Sequence, residues 1–571
     1  MNKKAAWLVI ICFFAILIGL LIFSYIFSSL SPREIKVASH SYLEIQLNGR
    51  LEEFVSSTPL TDVFEGRTIS LFDTWMNLRK AAIDPRIKAV VLKFGLLDAD
   101  WAKIEELRQA VLEFKKSGKP VISYFEESPE ADKEYYLASA SDQILMHPLG
   151  WLGVNGLASY VLFFKNTLAN LGIKAEFEHI AEYKTAYNQF TEDGFTPAHK
   201  EMMESIYQDI FDHYWHEMAD ARKISPEEMR RLIDRGFFQG KETVTAGLVD
   251  ALAYEDQLLD FMNLKDVNRL QRISNEKYTA IKPSSVGLEN GKKIAMIFAS
   301  GTIISGEEQT LALGSDTFTK WLRSAVKDDS IKAIIVRVDS PGGSAVGSDI
   351  IYHELIEARK QKPVVVSMSG LAGSGGYWLA LSGQEIIAQP QTLTGSIGVI
   401  AGKFSFSQLL DKLGIKTEKI IIGREADAFS IYKEFTPEEK ESLQNQLAST
   451  YVEFLERVAA ARNLNIEEVD RIGRGRVWTG KQAMELHLID RLGGYYQAIE
   501  AAKKLAGISL EEEVKLIVWP KKRSWLDIIL GRGKDPNAVN QTATFIQSFK
   551  TCLTYGSQPR VWSLMPGWLL P

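Results

Sequence analysis

The chain repeats itself, and the repeat limits the fold before any motif is weighed. A YLASASDQILMHP stretch from Tyr136 returns about 242 residues later as WLALSGQEIIAQP from Trp378. Leu171-Gly172-Ile173-Lys174 returns as Leu413-Gly414-Ile415-Lys416, and Phe195-Thr196-Pro197 as Phe435-Thr436-Pro437. Gly247-Leu248-Val249-Asp250 returns as His487-Leu488-Ile489-Asp490. Self-similarity at this distance means two copies of one structural unit. In a chain of 571 residues each copy is large enough to bury its own core. The repeat also shows what each copy has given up. Just before Tyr377 the second copy reads Gly373-Ser374-Gly375-Gly376, where the first reads Ala131-Asp132-Lys133-Glu134. One copy keeps a candidate nucleophile on a glycine-rich turn; the other must be kept for a different contribution.

Within each copy, strand and helix patterns alternate. Leu43 to Leu47 before Asn48-Gly49, and Ile294 to Phe298 before Ser300-Gly301, read as opening strands. The β-branched runs Ile87 to Leu92 and Ile331 to Val336 have the continuous apolar character of strands buried on both faces. Helices are expected over 101–116 and 348–360, short strands after Lys119-Pro120 and Lys362-Pro363, and long amphipathic helices over 199–222 and 438–461. That alternation predicts an α/β fold with right-handed crossovers. The polar stretch Lys277 to Lys293, with Pro283-Ser284-Ser285 and Gly287, reads as a linker. The tail from Glu511 shows no partner in the first copy. The expected plan is an anchor over 1–36, a first repeat over 41–275, a linker over 276–292, a second repeat over 293–508 and an extension over 509–571.

The N-terminus departs from this pattern. After Lys3 and Lys4, apolar residues run unbroken from Ala5 to Phe23, and Tyr25, Ile26 and Phe27 extend the run. A bilayer core needs roughly 20 helical residues, so the length predicts one transmembrane helix. A cleaved signal peptide is the alternative, but the stretch is too long for its apolar region and Phe27-Ser28-Ser29-Leu30 lacks an A-x-A-like site. The leading lysines favour a cytoplasmic N-terminus and a body on the far side, a bias softened by Arg33 and Lys36. Elsewhere composition mainly excludes. A net charge of -6 gives no support for nucleic-acid binding. The two cysteines, Cys12 and Cys552, cannot frame a disulfide or a metal site within the repeats. The eight histidines form no HExxH or close cluster, so neither metal nor cofactor is expected.

The chemistry concentrates in the second copy. Val338-Asp339-Ser340-Pro341-Gly342-Gly343-Ser344 follows a buried strand and precedes a helix, and its glycines let backbone N–H groups turn toward a ligand. About thirty residues on, Ser369-Gly370-Leu371-Ala372-Gly373-Ser374-Gly375-Gly376 follows the strand Val364-Val365-Val366 and leads into a helix. A serine at a strand-to-helix turn exposes its hydroxyl, with the next N–H available to an oxyanion. Read singly, either motif is also a tight turn with a helix cap. Ser344, well placed as an N-cap, and Ser369, nearer the strand, are rival nucleophiles. A serine needs a base. His353 and His487 sit in no turn resembling a catalytic loop. A lysine serves if burial lowers its pKa from about 10.4, but the residues alone do not choose among so many lysines.

Taken together, SPGGS at Ser340 to Ser344, GSGGYW at Gly373 to Trp378 and LTGSIGV at Leu393 to Val399 resemble the signal peptide peptidase A (protease IV) family in its long, duplicated form. The resemblance covers the anchor and both repeats, roughly residues 1 to 505. It implies two tandem ClpP/crotonase-like α/β repeats and a Ser/Lys dyad split between the copies. Serine maps to Ser374, and lysine to Lys184 in Glu182-Tyr183-Lys184-Thr185-Ala186-Tyr187. In the short, single-copy relatives the lysine belongs to the same copy as the serine; its counterpart here, by the repeat offset, is Ala426. The defects of the copies are thus complementary. Copy one has lost the serine (Asp132) and the glycine pair (Asp98-Ala99) yet holds Lys184, with Lys419 and Lys433 as local rivals in copy two. Ser396 resembles the family's second serine, which orients the lysine amine, and copy one has Val154 there; a turn residue capping its own backbone is the alternative. Gly343 and Gly375 are the expected oxyanion donors, with Gly342 permitting the turn.

The implied activity is a serine endopeptidase of the bacterial inner (cytoplasmic) membrane. It would be single-pass, its body extracytoplasmic, degrading remnant signal peptides and other extended apolar peptides. The resemblance further implies a homotetramer, contact with membrane lipid through the anchor, and no nucleic-acid partner. Two other readings are a crotonase-type acyl-CoA hydratase or isomerase, which would use carboxylates for proton transfer, and an inactive membrane-tethered scaffold.

Overall fold

A computed structural model of the chain describes residues 35–55, 68–262, 264, 269–309, 312–521 and 562–564. The apolar run expected to form the anchor lies outside these. Among the described residues, no helix is long and apolar enough to cross a membrane. The basic stretch after Lys521 lies outside them as well.

The first copy builds one sheet from β1 (Ser41–Glu52), β2 (Thr68–Ser70), β3 (Ile87–Asp98), β4 (Val121–Ser128) and β5 (Gln143–Val154). Strand β6 (Lys174–His179) leaves it, while β7 (Gly236–Gln239), β8 (Ala251–Leu252) and β9 (Gln271–Ser274) rejoin. The order is β2-β1-β3-β4-β5-β7, with β9 on β1 and β8 on β5. The β1–β3–β4–β5 pairings are all parallel, as strands joined through helices must be. Helices Leu71–Ile83, Trp101–Lys115 and Pro197–Arg222 flank the first copy's strands in sequence.

The second copy opens with β10 (Lys292–Ser300), β11 (Thr302–Ile304), β12 (Ala312–Gly314), β13 (Ile331–Ser340) and β14 (Gly342–Ser344). It continues through β15 (Val364–Gly373), β16 (Glu385–Ala388), β17 (Leu393–Gly395), β18 (Ile400–Ser405), β19 (Val477–Thr479), β20 (Arg491–Leu492) and β21 (Val514–Trp519). The central order β19-β17-β15-β13-β10-β21 matches the first sheet position for position. Strand β15 is buried at every residue, as its apolar run predicts. A third sheet, in the order β12-β11-β14-β22-β18-β6, takes β6 from the first copy and β22 (Trp562–Leu564) from the C-terminal end.

Two features differ from the reading of the sequence. The tail beyond Glu511 does have a counterpart. β21 pairs parallel with β10 (Lys292↔Val514 to Ile297↔Trp519), and β9 pairs parallel with β1 in the same way. The repeat therefore runs to Trp519; it is invisible because QRIS and VKLIVW share a place in the sheet and no residues. The stretch expected as a linker is also strapped down. Asn77 Nδ2 donates to Asn275 Oδ1 at 2.7 Å, and Lys80 Nζ donates to the carbonyls of Tyr278 and Ile281 at 2.7 and 2.9 Å.

The copies share a core. Trp75 packs on Tyr495 with ring centroids 4.8 Å apart, and Phe54 stacks on Phe298 at 4.8 Å. Behind these rings the Arg337 guanidinium is wholly buried. It donates to Glu53 Oε1 at 2.7 Å and Glu106 Oε2 at 3.0 Å from copy one, and to Ser367 Oγ at 2.8 Å. Removing one partner of such a buried set strands a charge, at a cost of about 3–5 kcal/mol. The halves are therefore fixed relative to each other, which any site drawing on both requires.

Candidate active site

The exchange of β6 between sheets brings the two copies' chemistry together. β6 runs antiparallel to β18, from Lys174↔Ser405 to His179↔Ile400. Just beyond, Ile180 N donates to Val399 O at 3.2 Å and Tyr183 N to Arg474 O at 3.1 Å. The chain between these anchors delivers Lys184. On the outside, Arg474 Nε lies 2.9 Å from both Glu182 carboxylate oxygens, and Arg476 Nη1 donates to Glu201 Oε1 at 2.6 Å. Glu201 also accepts from Tyr183 OH at 2.9 Å, so the lysine loop is held on both flanks.

Lys184 Nζ lies 2.7 Å from Ser374 Oγ, 3.0 Å from Ser396 Oγ and 3.0 Å from the Ser396 carbonyl oxygen. All three residues are buried. Burial pushes the Lys184 amine well below its ordinary pKa of 10.5. With the charge disfavoured by desolvation, the neutral amine with its lone pair becomes the available form. Ser374 sits where β15 turns into the helix Gly375–Ala380, with φ 54° and ψ -114°. Ser396 likewise has φ 49°. Two non-glycine residues in the left-handed region, both on one lysine, are the kind of strain that surrounding structure must over-determine. Here Ser374 N donates to Gly395 O at 2.8 Å and Ser396 N to Arg476 O at 2.7 Å.

The expected oxyanion donors also meet. A Cβ built on Gly375 would stand 3.2 Å from Gly343 N, so their backbones are adjacent beside the serine. A Cβ on Gly343 would stand 2.1 Å from Ile303 O, so only glycine lets β14 pass β11 that closely. The rival residues go elsewhere. Ser369 Oγ donates to the buried carboxylate of Glu53. Ser344 caps the helix Ala345–Arg359 by accepting from Gly347 N at 3.1 Å. His353 and His487 are exposed. Lys419 pairs with Asp427 at 3.2 Å; Lys433 pairs with Asp427 at 3.1 Å and Glu439 at 2.5 Å. Ala426 is exposed.

The sequence reading missed Gly475. Its φ is +81°, and a Cβ there would meet Lys184 N at 2.5 Å and Lys184 Cβ at 2.6 Å. The signal was the Gly473-Arg474-Gly475-Arg476 run, a turn of alternating glycine and arginine far downstream of every recognised motif. Among the described residues, no group of three or more His, Cys, Asp or Glu is arranged to hold a metal ion.

Comparison with known proteins agrees with this geometry in kind. Residues 113–268 and 356–509 match the family described as peptidase family S49, one segment in each copy. The chain is 31% identical over 541 residues to the chloroplastic serine protease SPPA of Arabidopsis thaliana, covering 93% of this chain and 79% of that one. It is 34% identical over 452 residues to protease 4 of Salmonella typhi, covering 76% and 72%. To protease 4 of Haemophilus influenzae it is 30% identical over 502 residues, covering 84% and 81%.

Proposed function

The chain belongs to peptidase family S49 and is a serine peptidase, and from that premise we propose that Lys184 of the first copy activates Ser374 of the second. The observation that carries the reading is the 2.7 Å contact between a buried, desolvated amine and a hydroxyl on a strained turn. The neutral Lys184 takes the Ser374 proton as Oγ attacks a peptide carbonyl. The oxyanion lies against the N–H groups of Gly343 and Gly375, and the Lys184 ammonium then gives its proton to the leaving amine. Water, activated by the same amine, hydrolyses the acyl-enzyme and returns Ser374. Ser396 holds the amine in line. A crotonase-type hydratase would use carboxylates for proton transfer; the pair facing each other here is an amine and a hydroxyl.

Remnant signal peptides and other extended apolar peptides are the substrates this reading favours. The body is tethered by the N-terminal apolar run to the inner membrane, on its extracytoplasmic side. The α/β architecture of each copy fits the ClpP/crotonase-like fold that the motifs imply. A homotetramer is supported by an asymmetry of the repeat. The second copy's counterpart of β6, Lys416–Ile421, forms no strand and is fully exposed, with Ile420 at 95%. The first copy's counterpart of β18, Ala158–Phe163, also forms no strand, with Tyr160 exposed at 92% and Leu162 at 65%. The β6–β18 pairing repeated between chains would cover both. The test of the dyad is covalent labelling of Ser374 by a fluorophosphonate. Labelling in the folded wild-type chain, lost in folded Lys184→Ala, is expected; equal labelling of both overturns the cross-copy dyad.

A further inference from the structure

The C-terminal end has no place in the repeat, yet three of its residues sit at the centre of the third sheet. β22 pairs antiparallel with β14, with Gly342 opposite Leu564, Gly343 opposite Ser563 and Ser344 opposite Trp562. On its other side it meets β18 through Ile400 and Trp562. Since the order is β12-β11-β14-β22-β18-β6, lifting β22 out leaves a gap one strand wide between β14 and β18. The two walls of that gap belong to the site. β14 carries the Gly342-Gly343 pair, and β18 begins just after Gly398, whose carbonyl lies 3.4 Å from Ser374 Oγ.

A gap between two strands binds an extended peptide through main-chain hydrogen bonds, largely whatever its side chains, while pockets set the preference. Strand neighbours lie about 4.8 Å apart, so one added strand satisfies both walls at once. The segment filling the gap has the composition expected of a substrate for such a groove. Val561-Trp562-Ser563-Leu564-Met565 is uncharged and largely apolar, with a small residue opposite Gly343.

We infer that the gap between β14 and β18 is the peptide groove and that Trp562–Leu564 is its resident occupant, so that the chain's own C-terminal segment competes with the peptide to be cleaved. The inference rests on the reading of Ser374 as nucleophile. Because the segment belongs to the same chain, it competes at an effective concentration rather than by collision. For tethered segments that concentration reaches about mM, enough to hold off a weakly bound peptide without closing the site to a tight one.

The test uses the full chain and a Trp562→Pro/Ser563→Pro variant of it. Successive residues of a strand point their N–H groups to opposite sides, so two prolines remove the donors toward both walls. Two readouts are taken: the rate of fluorophosphonate labelling of Ser374, and KM and kcat on a small apolar chromogenic peptide. The variant is expected to label faster and show a KM roughly three- to ten-fold lower at unchanged kcat, as release of a tethered competitor requires. A synthetic peptide spanning Gln558 to Pro571 should restore the higher KM when added to the variant. Equal KM and labelling rates in the two proteins, with no inhibition by the peptide, overturn the inference and leave the nucleophile standing. If neither protein labels, the nucleophile falls and the inference with it.

Discussion

The two copies hold the same bonds everywhere except where chemistry would occur. In copy one Arg222 Nη2 lies 2.8 Å from Asp250 Oδ1, and Asp250 Oδ2 accepts from Ile144 N at 2.7 Å. In copy two Arg462 Nη2 lies 2.7 Å from Asp490 Oδ1, and Asp490 Oδ2 accepts from Ile386 N at 2.7 Å. Tyr135 OH donates to Leu248 O at 2.6 Å, and Tyr377 OH to Leu488 O at 2.8 Å. The scaffold is repeated almost to the tenth of an ångström. At the serine position the match ends. Asp132 spends its carboxylate on Asn155 N and Gly156 N at 3.1 Å each and on Tyr214 OH at 3.0 Å. Glu134, standing where copy two has Gly376, accepts from Leu97 N at 3.1 Å. Copy one has filled its own cleft with carboxylates and exported its lysine. Once a neighbour supplies the missing group, a duplicated site is free to lose its function one half at a time.

The sharpest way to break this comparison is to remove what each copy still contributes. Ser374→Ala and Lys184→Ala should each lower kcat at least ~10³-fold with the fold intact, and the double variant should be no worse than either. Steady-state kinetics with circular dichroism as the folding control decides it. Restoring a lysine within copy two should not help. Ala426 is exposed, in the same stretch as Ile420 and Ile422, whereas Ser374 is fully buried. Lys184→Ala/Ala426→Lys should therefore remain as inactive as Lys184→Ala at every pH; recovery would show that position 426 reaches the serine. Next in size is Gly475→Ala. A methyl group 2.5 Å from the Lys184 backbone, on a residue at φ +81°, must push the lysine loop away. A displacement near 1 Å at a catalytic group costs ~10²-fold. Full activity in this variant would mean that the loop tolerates a shift the geometry forbids.

How much of this was legible in the sequence varies by region for physical reasons. The α/β order and the repeat were legible because buried strands such as Val364 to Gly373 need unbroken apolar runs. The serine turn was legible because Gly343 and Gly375 admit no side chain where β14, β11 and the next helix crowd together. Lys184 was not legible from its own neighbourhood. Its environment comes from Gly475, Gly398 and Ser396, more than two hundred residues away, and only the repeat with the family resemblance pointed to it. β21 was missed because a sheet position fixes pairing, not residue identity. β22 was missed because three residues carry no period.

Ser396→Ala probes a smaller difference, since Val154 occupies that position in copy one. Ser396 Oγ is one of three oxygens around Lys184 Nζ, so its loss should leave the amine in place but less firmly aimed. A drop in kcat of roughly 10- to 100-fold is expected, the lower range of a positioned proton-transfer group. The pH profile adds a sign. Burial holds the Lys184 pKa well below 10.5, so activity should climb to its plateau at a pH far under that value. Acceptors around an amine favour its charged form. Removing one should therefore leave the rising limb in place or move it to lower pH. A limb moved toward 10 would contradict desolvation as the cause of the shift.

The smallest effect on activity is expected from the copy that performs no chemistry, and it appears in stability instead. Burial pushes the Glu134 carboxyl up from 4.5 to about 7. The folded-state value is thus raised above the unfolded one. Stability linked to this group is fully present below about 4.5 and is lost as pH rises through about 7, because ionising Glu134 is easier in the unfolded chain. Glu134→Gln keeps an oxygen for Leu97 N and removes the charge. At pH 8.5 it should stabilise the protein by up to about 3 kcal/mol, the linkage value of a shift of this size, and by nothing measurable at pH 4. Denaturant titrations of the two proteins at both pH values measure it, with kcat/KM unchanged between them. A variant that is equally stable at pH 8.5 would mean that Glu134 is solvated. Lost activity would mean that copy one's cleft still serves the reaction, and that the division of labour between the copies is less complete than their hydrogen bonds indicate.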